Sequence, residues 1–315
     1  MRMERNGNNN PFICGVEAPL EIQYDQQRDH SLSAVIIQEM IEAAGVEPSD
    51  IPNPLYESVD PDALEELFQP LMDGTPRENY EVSFAFAGHY ITIRDGGRIQ
   101  IESELGRLKR TGGNILLTGN VPEDVLDQVS GQLLGEQSLN RTPVIAQYGK
   151  DAEVAQMRLS QVDSPLDHAH ILTYRADARS ATQLQASQPS QIAISYVTGT
   201  FEEFQVAIQD KISDLQNQQN GFDPAELRFC FDSLRLLIEE TGIETTKEFI
   251  SKTVKTVDSV NGLGHYIHSG TFDSDSVQAV KSKFDVVIEL RANTNGLEQR
   301  LHLHGTNHTT QWFPI

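Results

Sequence analysis

The sequence predicts an α/β protein in two parts: a small α+β unit of two helices and a three-stranded antiparallel meander, then a larger, mostly parallel sheet flanked by helices. Three observations predict it. Apolar residues between Val82 and Ile101 recur with period two, as in half-buried strands. From Asn114 onward, short apolar runs alternate with amphipathic helical stretches. The run Leu-Arg-Phe-Cys-Phe-Asp-Ser-Leu over 227–234 ends in Asp232-Ser233 directly before a helix, the pattern of a buried parallel strand presenting an acid and a hydroxyl at the rim of an open sheet.

Residues 1–30, with Asn6–Asn10 and a Gln-rich stretch, offer little to bury and are expected to be a flexible N-terminal segment. Leu32, Val35, Ile36, Met40 and Ala43 follow helical spacing. Asp60-Pro61-Asp62 opens a second helix, with Asp60 as N-cap, Pro61 in the first turn and an apolar face of Ala63, Leu64, Leu67 and Phe68. Three strands follow: Val82/Phe84/Phe86, Ile91/Ile93 and Ile99/Ile101, with turns at Gly88-His89 and Asp95-Gly96-Gly97. Residues 103–113 read as a linker carrying a mild basic cluster (Arg107, Lys109, Arg110).

In the second part, strands are expected at 114–118, 143–148, 169–174, 192–197, 227–231, 264–268 and 284–290, with an edge-type strand at 297–303. Helices are expected at 123–134, 152–159, 202–215, 234–240, 245–257 and 274–282. Residues 306–315 read as a C-terminal tail.

The 315 residues carry 46 acids against 24 bases, a formal net charge of −22, with no Lys before Lys109. Such a surface suits a salt-rich cytoplasm, where repulsion is screened, and argues for halophilic origin. It would repel a bare phosphate backbone, so direct nucleic-acid binding is not expected. Cys14 and Cys230 suggest neither a disulfide framework nor a zinc spacing. Apolar runs are only strand-length, so neither a membrane span nor a signal peptide is expected, and the protein reads as cytoplasmic.

The order of elements over 31–102, with Leu55-Tyr56-Glu57-Ser58-Val59-Asp60-Pro61-Asp62-Ala63-Leu64 and Phe84-Ala85-Phe86-Ala87-Gly88-His89-Tyr90-Ile91-Thr92-Ile93, resembles the halobacterial output domain of haloarchaea. That resemblance implies a signal-output module. Residues 114–305 carry Phe229-Cys230-Phe231-Asp232-Ser233-Leu234, Gly264-His265-Tyr266 and Phe284-Asp285-Val286-Val287-Ile288-Glu289-Leu290. This part looks like a RecA-like or KaiC-like domain, which implies an ancestral nucleotide site near Asp232 and Ser233.

The phosphate-binding half of such a site is missing. A G-x-x-x-x-G-K-[ST] loop opening at Gly119 would need Gly, Lys and Ser or Thr at 124–126, where Asp124, Val125 and Leu126 stand. Glu123 and Asp124 suit a helix start, at about 0.3–1 kcal/mol each. A phosphate within about 4 Å of either would meet about 1–4 kcal/mol of repulsion. Neither Thr111-Gly112-Gly113 nor Asp95-Gly96-Gly97 replaces the loop, and Asp151 reads as helix-start chemistry.

Asp232 and Ser233 are thus the candidate cofactor residues, read first as a relic that bonds neighbouring backbone. His302 and His304 alternate on one strand at a spacing a metal can use, but no Cys or acid stands at ligand spacing, and an exposed strand is the better reading. His168 and His170 alternate likewise. His265 and His268 flank Tyr266, where one of them could line the crevice or simply pack. Phe84, Phe86 and Tyr90 lack basic neighbours and read as core rather than an RNA platform. The sequence therefore favours a non-catalytic regulatory protein without cofactor or metal. Its partners would be signalling or regulatory proteins, a second copy of the chain among them. The alternative is a divergent nucleotide-binding ATPase using Asp232.

Overall fold

The computed structural model describes residues 19–25, 31–44, 55–69, 75, 77, 80–86, 89–135, 140–160, 169–175, 192–294, 296–305 and 308–315. The chain divides into two compact units, Val16–Arg107 with Gly305–His308, and Leu108–His304 with Thr309–Ile315.

In the smaller unit, β1 (Leu20–Gln23) is followed by α1 (Leu32–Ala44), α2 (Pro61–Phe68), β2 (Glu81–Phe86), β3 (His89–Arg94) and β4 (Arg98–Ser103). The described strands form an antiparallel sheet of order β1-β4-β3-β2. Asp60 caps α2 as its sequence predicts: Oδ1 accepts from Asp62 N at 3.0 Å and Ala63 N at 3.2 Å. Ile91, Ile93, Ile99 and Ile101 pack from the sheet against Leu32, Ile36 and Met40 of α1 and Leu64 of α2.

Two expectations need correction here. Residues 20–23, assigned to a flexible segment, form a strand in register with β4 (Leu20 opposite Ile101, Ile22 opposite Ile99), so the meander gains a fourth strand. Alternation puts Ile22 against the core and Glu21 on the opposite face. The expected linker is the end of β4 followed by helix α3 (Glu104–Thr111), whose Leu105 and Leu108 are buried. The proposed turn residue Gly88 lies outside the described residues, as do Cys14 and His168.

The larger unit runs β5 (Gly113–Gly119), α4 (Glu123–Leu134), β6 (Thr142–Tyr148), α5 (Ala152–Ser160), β7 (His170–Arg175), β8 (Ala193–Thr198) and α6 (Phe201–Gln218). It continues through β9 (Leu227–Asp232), α7 (Leu234–Thr241), α8 (Ile243–Asp258), β10 (Leu263–Ser269), α9 (Asp275–Val280), β11 (Val286–Asn293) and β12 (Gly296–Leu303). Two short strands follow, β13 (His308–Thr309), whose first residue is counted with the smaller unit, and β14 (Phe313–Pro314). The sheet order is β13-β12-β11-β5-β10-β9-β6-β7-β8, with β14 also on β12. From β11 to β8 all neighbours are parallel, while β12 runs antiparallel to β11. The alternating β and α of the sequence has thus produced the expected mostly parallel sheet flanked by helices.

The C-terminal residues are not a loose tail, and β12 is not an edge. Leu301 N donates to Thr310 Oγ1 and Thr310 N to Leu301 O, each at 2.9 Å, and Ile315 N donates to Leu297 O at 3.1 Å. Trp312 lies under the guanidinium carbons of Arg291 and Arg300, 3.9 and 4.6 Å from its ring centre. A cation–aromatic contact of this kind is invisible to strand or helix periodicity.

One face of the large sheet is apolar. Phe229, Phe231 and Tyr266 meet Phe204, Ile208 and Ile212 of α6 and Phe249, Ile250 and Val257 of α8. The opposite face, under α4 and α5, carries the polar groups of interest. The connection from β5 through α4 leads toward β6, and that from β10 through α9 leads the other way to β11. This reversal marks the crevice at the carboxyl ends of β5 and β10, where ligands bind open α/β sheets.

Candidate functional site

The strand registers bring Ile288, Leu117, Ile267, Asp232, Gln147 and Thr173 side by side across the sheet, near its carboxyl end. One pleat deeper on the same face, His265 and Cys230 are neighbours. The row is apolar on one side of Asp232 and polar on the other. Asp232 is fully buried and so needs a compensating charge.

That charge comes from two residues after β6. Arg158, on the inner face of α5 with Ala155 and Leu159, donates through Nη2 to Asp232 Oδ2 at 2.8 Å. Its Nε donates to Asp127 Oδ1 of α4 at 3.1 Å, Nη2 also reaches that oxygen, and Nη1 lies 3.4 Å from Cys230 Sγ. Lys150, in the turn before α5, places Nζ 3.1 Å from the same Asp232 Oδ2 and also pairs with Glu123. Burial opposes the charge on both cations. Nearby Cys230, Asp232 and Asp127 outweigh it for Arg158, and Asp232 and Glu123 for Lys150, so both stay above their ordinary pKa.

Behind this cluster, Ser130 Oγ of α4 is 2.7 Å from His265 Nε2 and 3.7 Å from Cys230 Sγ. Burial, helped by Arg158 and Arg228, pushes the His265 imidazole down to about 3, so it is neutral. Burial pushes the Cys230 thiol up to about 11, against the pull of Arg158. The layer between the sheet and α4–α5 thus holds a continuous polar network.

At the mouth, β5 ends on Gly119, where an added Cβ would stand 2.5 Å from Leu290 O; only glycine lets β5 and β11 approach this closely. The loop to α4 is just Asn120, Val121 and Pro122. Pro122 is the N-cap and has no N–H to offer an anion, and Glu123 and Asp124 fill the first turn. Asp232 Oδ2, where a hydrated magnesium ion would need a free carboxylate, instead faces two cations. This donor set does not suit a magnesium–triphosphate.

The remaining candidates separate. The Asp232–Ser233 peptide bond is cis, and Ser233 is the nearly buried N-cap of α7 without a side-chain capping bond. Contrary to a relic that only bonds nearby backbone, Asp232 is the centre of the ion-pair network. Asp151 faces away and accepts from Arg175 Nη2 at 2.7 Å. His265 and His268 are both buried; His268 Nε2 lies 3.0 Å from Ser276 Oγ. His302 stacks on Phe272, with Nε2 2.8 Å from Glu289 Oε2 and Nδ1 3.1 Å from Thr309 Oγ1, while His304 is exposed. Among the described residues no three His, Cys, Asp or Glu side chains form a group able to hold a metal. An open polar cavity of about 570 Å³ lies at the opposite, amino ends of β6 and β9, lined by residues including Asn140, Gln219, Asp223 and Glu226. None of the candidates reaches it.

Residues 112–290, more than half of the chain, match a family of unknown function, DUF7504. The chain belongs to that family. Residues 28–103 match Halobacterial output domain 1. The DUF7504 match covers Lys150, Arg158 and Asp232 together, so the cluster lies within the family segment. No curated protein matches the sequence. Two solved structures from the archaeon Pyrococcus horikoshii are similar to the chain. One is the uncharacterised protein PH0321, crystallised with an unknown peptide, at 17% identity and TM-score 0.42 over 64% of this chain and 86% of that one. The other is the KaiC-like protein PH0186, at 12% identity and TM-score 0.42 over 65% and 85%. Among the described residues no helix is long and apolar enough to cross a membrane.

Proposed function

We propose that this DUF7504 chain is a non-catalytic regulatory output protein of a haloarchaeal cytoplasm. It acts through contacts with other signalling or regulatory proteins and uses neither nucleotide nor metal. The observation that carries this reading is the double occupation of Asp232 Oδ2 by Arg158 at 2.8 Å and Lys150 at 3.1 Å. An incoming triphosphate would have to take Lys150 from both Asp232 and Glu123, and would then lie against the carboxylates of the first turn of α4. The output domain supplies the regulatory context, and the net charge of −22 keeps the chain off bare nucleic acid, so any effect on transcription would pass through a partner. Titration with a fluorescent ATP analogue in high potassium chloride tests this: no saturable binding is expected, and micromolar binding lost in Asp232→Asn would overturn it.

One observation favours the rival reading, a divergent ATPase. Asp232 Oδ1 is buried and, among the described residues, accepts no hydrogen bond. That reading requires nucleotide hydrolysis that disappears in Asp232→Asn while the circular dichroism spectrum is unchanged.

A further inference from the structure

The larger sheet ends on one side in two-residue strands, β13 and β14, the latter containing Pro314, and such ends template little further pairing. Its other end is different. Strand β8 reads Ala-Ile-Ser-Tyr-Val-Thr, six residues without charge, proline or glycine, and among the described strands it pairs only with β7. Edge strands normally carry charge, proline or a bulge to prevent pairing with another chain. The edges of the smaller sheet each hold an acid, Glu21 in β1 and Glu81 in β2.

The direction of the free backbone groups is fixed by the ladder. Ala193 N donates to Ala169 O at 2.9 Å, so the amides of Ser195 and Val197 also turn toward β7. Those of Ile194, Tyr196 and Thr198 point outward. Along the outer edge they form a donor and acceptor row that is complementary to itself when a second β8 runs antiparallel.

We propose that β8 is where two copies of this chain join, strand to strand across a two-fold axis, with Tyr196 opposite its own counterpart and Ile194 opposite Thr198. The self-complementary edge selects this occupant, and its lack of charge permits the approach. Two molecules of net charge −22 repel over most of their surfaces, and a six-residue strand without a carboxylate lets their backbones approach. Self-pairing of a single patch is the form a two-fold interface requires. Ile194 and Tyr196 are half-buried in their own unit, so recognition rests on main-chain bonds rather than on pockets for a foreign peptide's side chains. The pairing gives one surface to the contact-based function proposed above, but needs no particular state of Asp232.

The test uses the full chain in high potassium chloride. Sedimentation equilibrium should give twice the 35.1 kDa chain mass. Tyr196→Pro removes an outward N–H that β7 does not use, and Thr198→Glu adds a carboxylate to the edge; each should raise the dimer dissociation constant at least tenfold with the circular dichroism spectrum retained. Tyr196→Cys, in a Cys14→Ser background, should form an intermolecular disulfide, since paired residues in such a ladder are about 5.5 Å apart at Cα. A wild-type monomer overturns the proposal, as does a dimer that survives both edge variants and yields no cross-link. Either result leaves the nucleotide titration standing on its own.

Discussion

Replacing Arg158 by methionine tests the reasoning about the cluster most directly. The substitution keeps a long side chain against Ala155 and Leu159 but removes the guanidinium from two acids, one fully buried (Asp232) and one with a side chain 17% exposed (Asp127). Breaking a buried ion pair from one side costs about 3–5 kcal/mol, because the partner charge is left behind. Asp127 can turn to water and Asp232 keeps Lys150, itself 21% exposed, so the expected loss is at the lower end, about 3 kcal/mol. Urea unfolding at fixed potassium chloride is the assay, read from the fluorescence of Trp312, the only tryptophan, which belongs to the larger unit. With a slope of about 2–3 kcal/mol/M, the midpoint should fall by about 1–1.5 M without a change of slope. The double variant Arg158→Met with Asp232→Leu removes both buried charges and should recover at least half of that loss, a coupling expected only between interacting residues. A single variant within about 1 kcal/mol of wild type, or a strictly additive pair, would refute the assignment of Arg158 as the counter-charge of Asp232.

Three further outcomes follow from the same structure. His265 is held neutral down to about 3 in the fold, whereas an unfolded imidazole takes up a proton near about 6.5. The unfolded state therefore binds more protons throughout that window, and stability falls as pH drops through it. At pH 5 the loss is about 2 kcal/mol, and His265→Asn should flatten the change between pH 7.5 and 5 by that amount; superimposable profiles would refute it. Thr200 and Glu203 form a reciprocal capping box at the start of α6, so Thr200→Ala should cost about 1 kcal/mol in chemical unfolding. Trp312→Ala, followed by circular dichroism, should cost about 1–2 kcal/mol through loss of its contacts with Arg291 and Arg300, and no change would mean that the C-terminal strands add nothing.

The large sheet was legible because its central strands β5, β10, β9 and β6 are buried on both faces and read as apolar runs, with amphipathic helices between them. Short elements were not. Leu20–Gln23 alternates over only four residues and declares itself a strand only through its register with β4. Residues 104–111 have two buried leucines in a polar sequence ending at Gly112-Gly113, which reads as a linker until the leucines find a core. Asp232 was legible from the end of its apolar run. Its counter-charges were not, since Lys150 and Arg158 lie on other elements far away in sequence. One signal was present: Arg158 follows Ala155 by three positions and precedes Leu159 on the apolar face of α5, where an arginine needs an acid to be buried.

The charges of the cluster explain why the acid need not imply catalysis. Asp232 and Asp127 contribute two negative charges beneath α4 and α5, Arg158 and Lys150 two positive ones, and Glu123 extends Lys150's pairing to the surface. In a nucleotide enzyme the strand-end carboxylate is matched by a metal ion that arrives with its phosphate, so the site is incomplete until substrate binds. Here the matching charge is built into the chain, and the acid is neutralised as the sheet closes. A phosphate could recruit Lys150 only by withdrawing it from Asp232 and Glu123. It could not recruit Arg158 without leaving Asp127 and Asp232 together in the interior. The network thus makes the sheet's carboxyl end a structural joint between β9, α4 and α5.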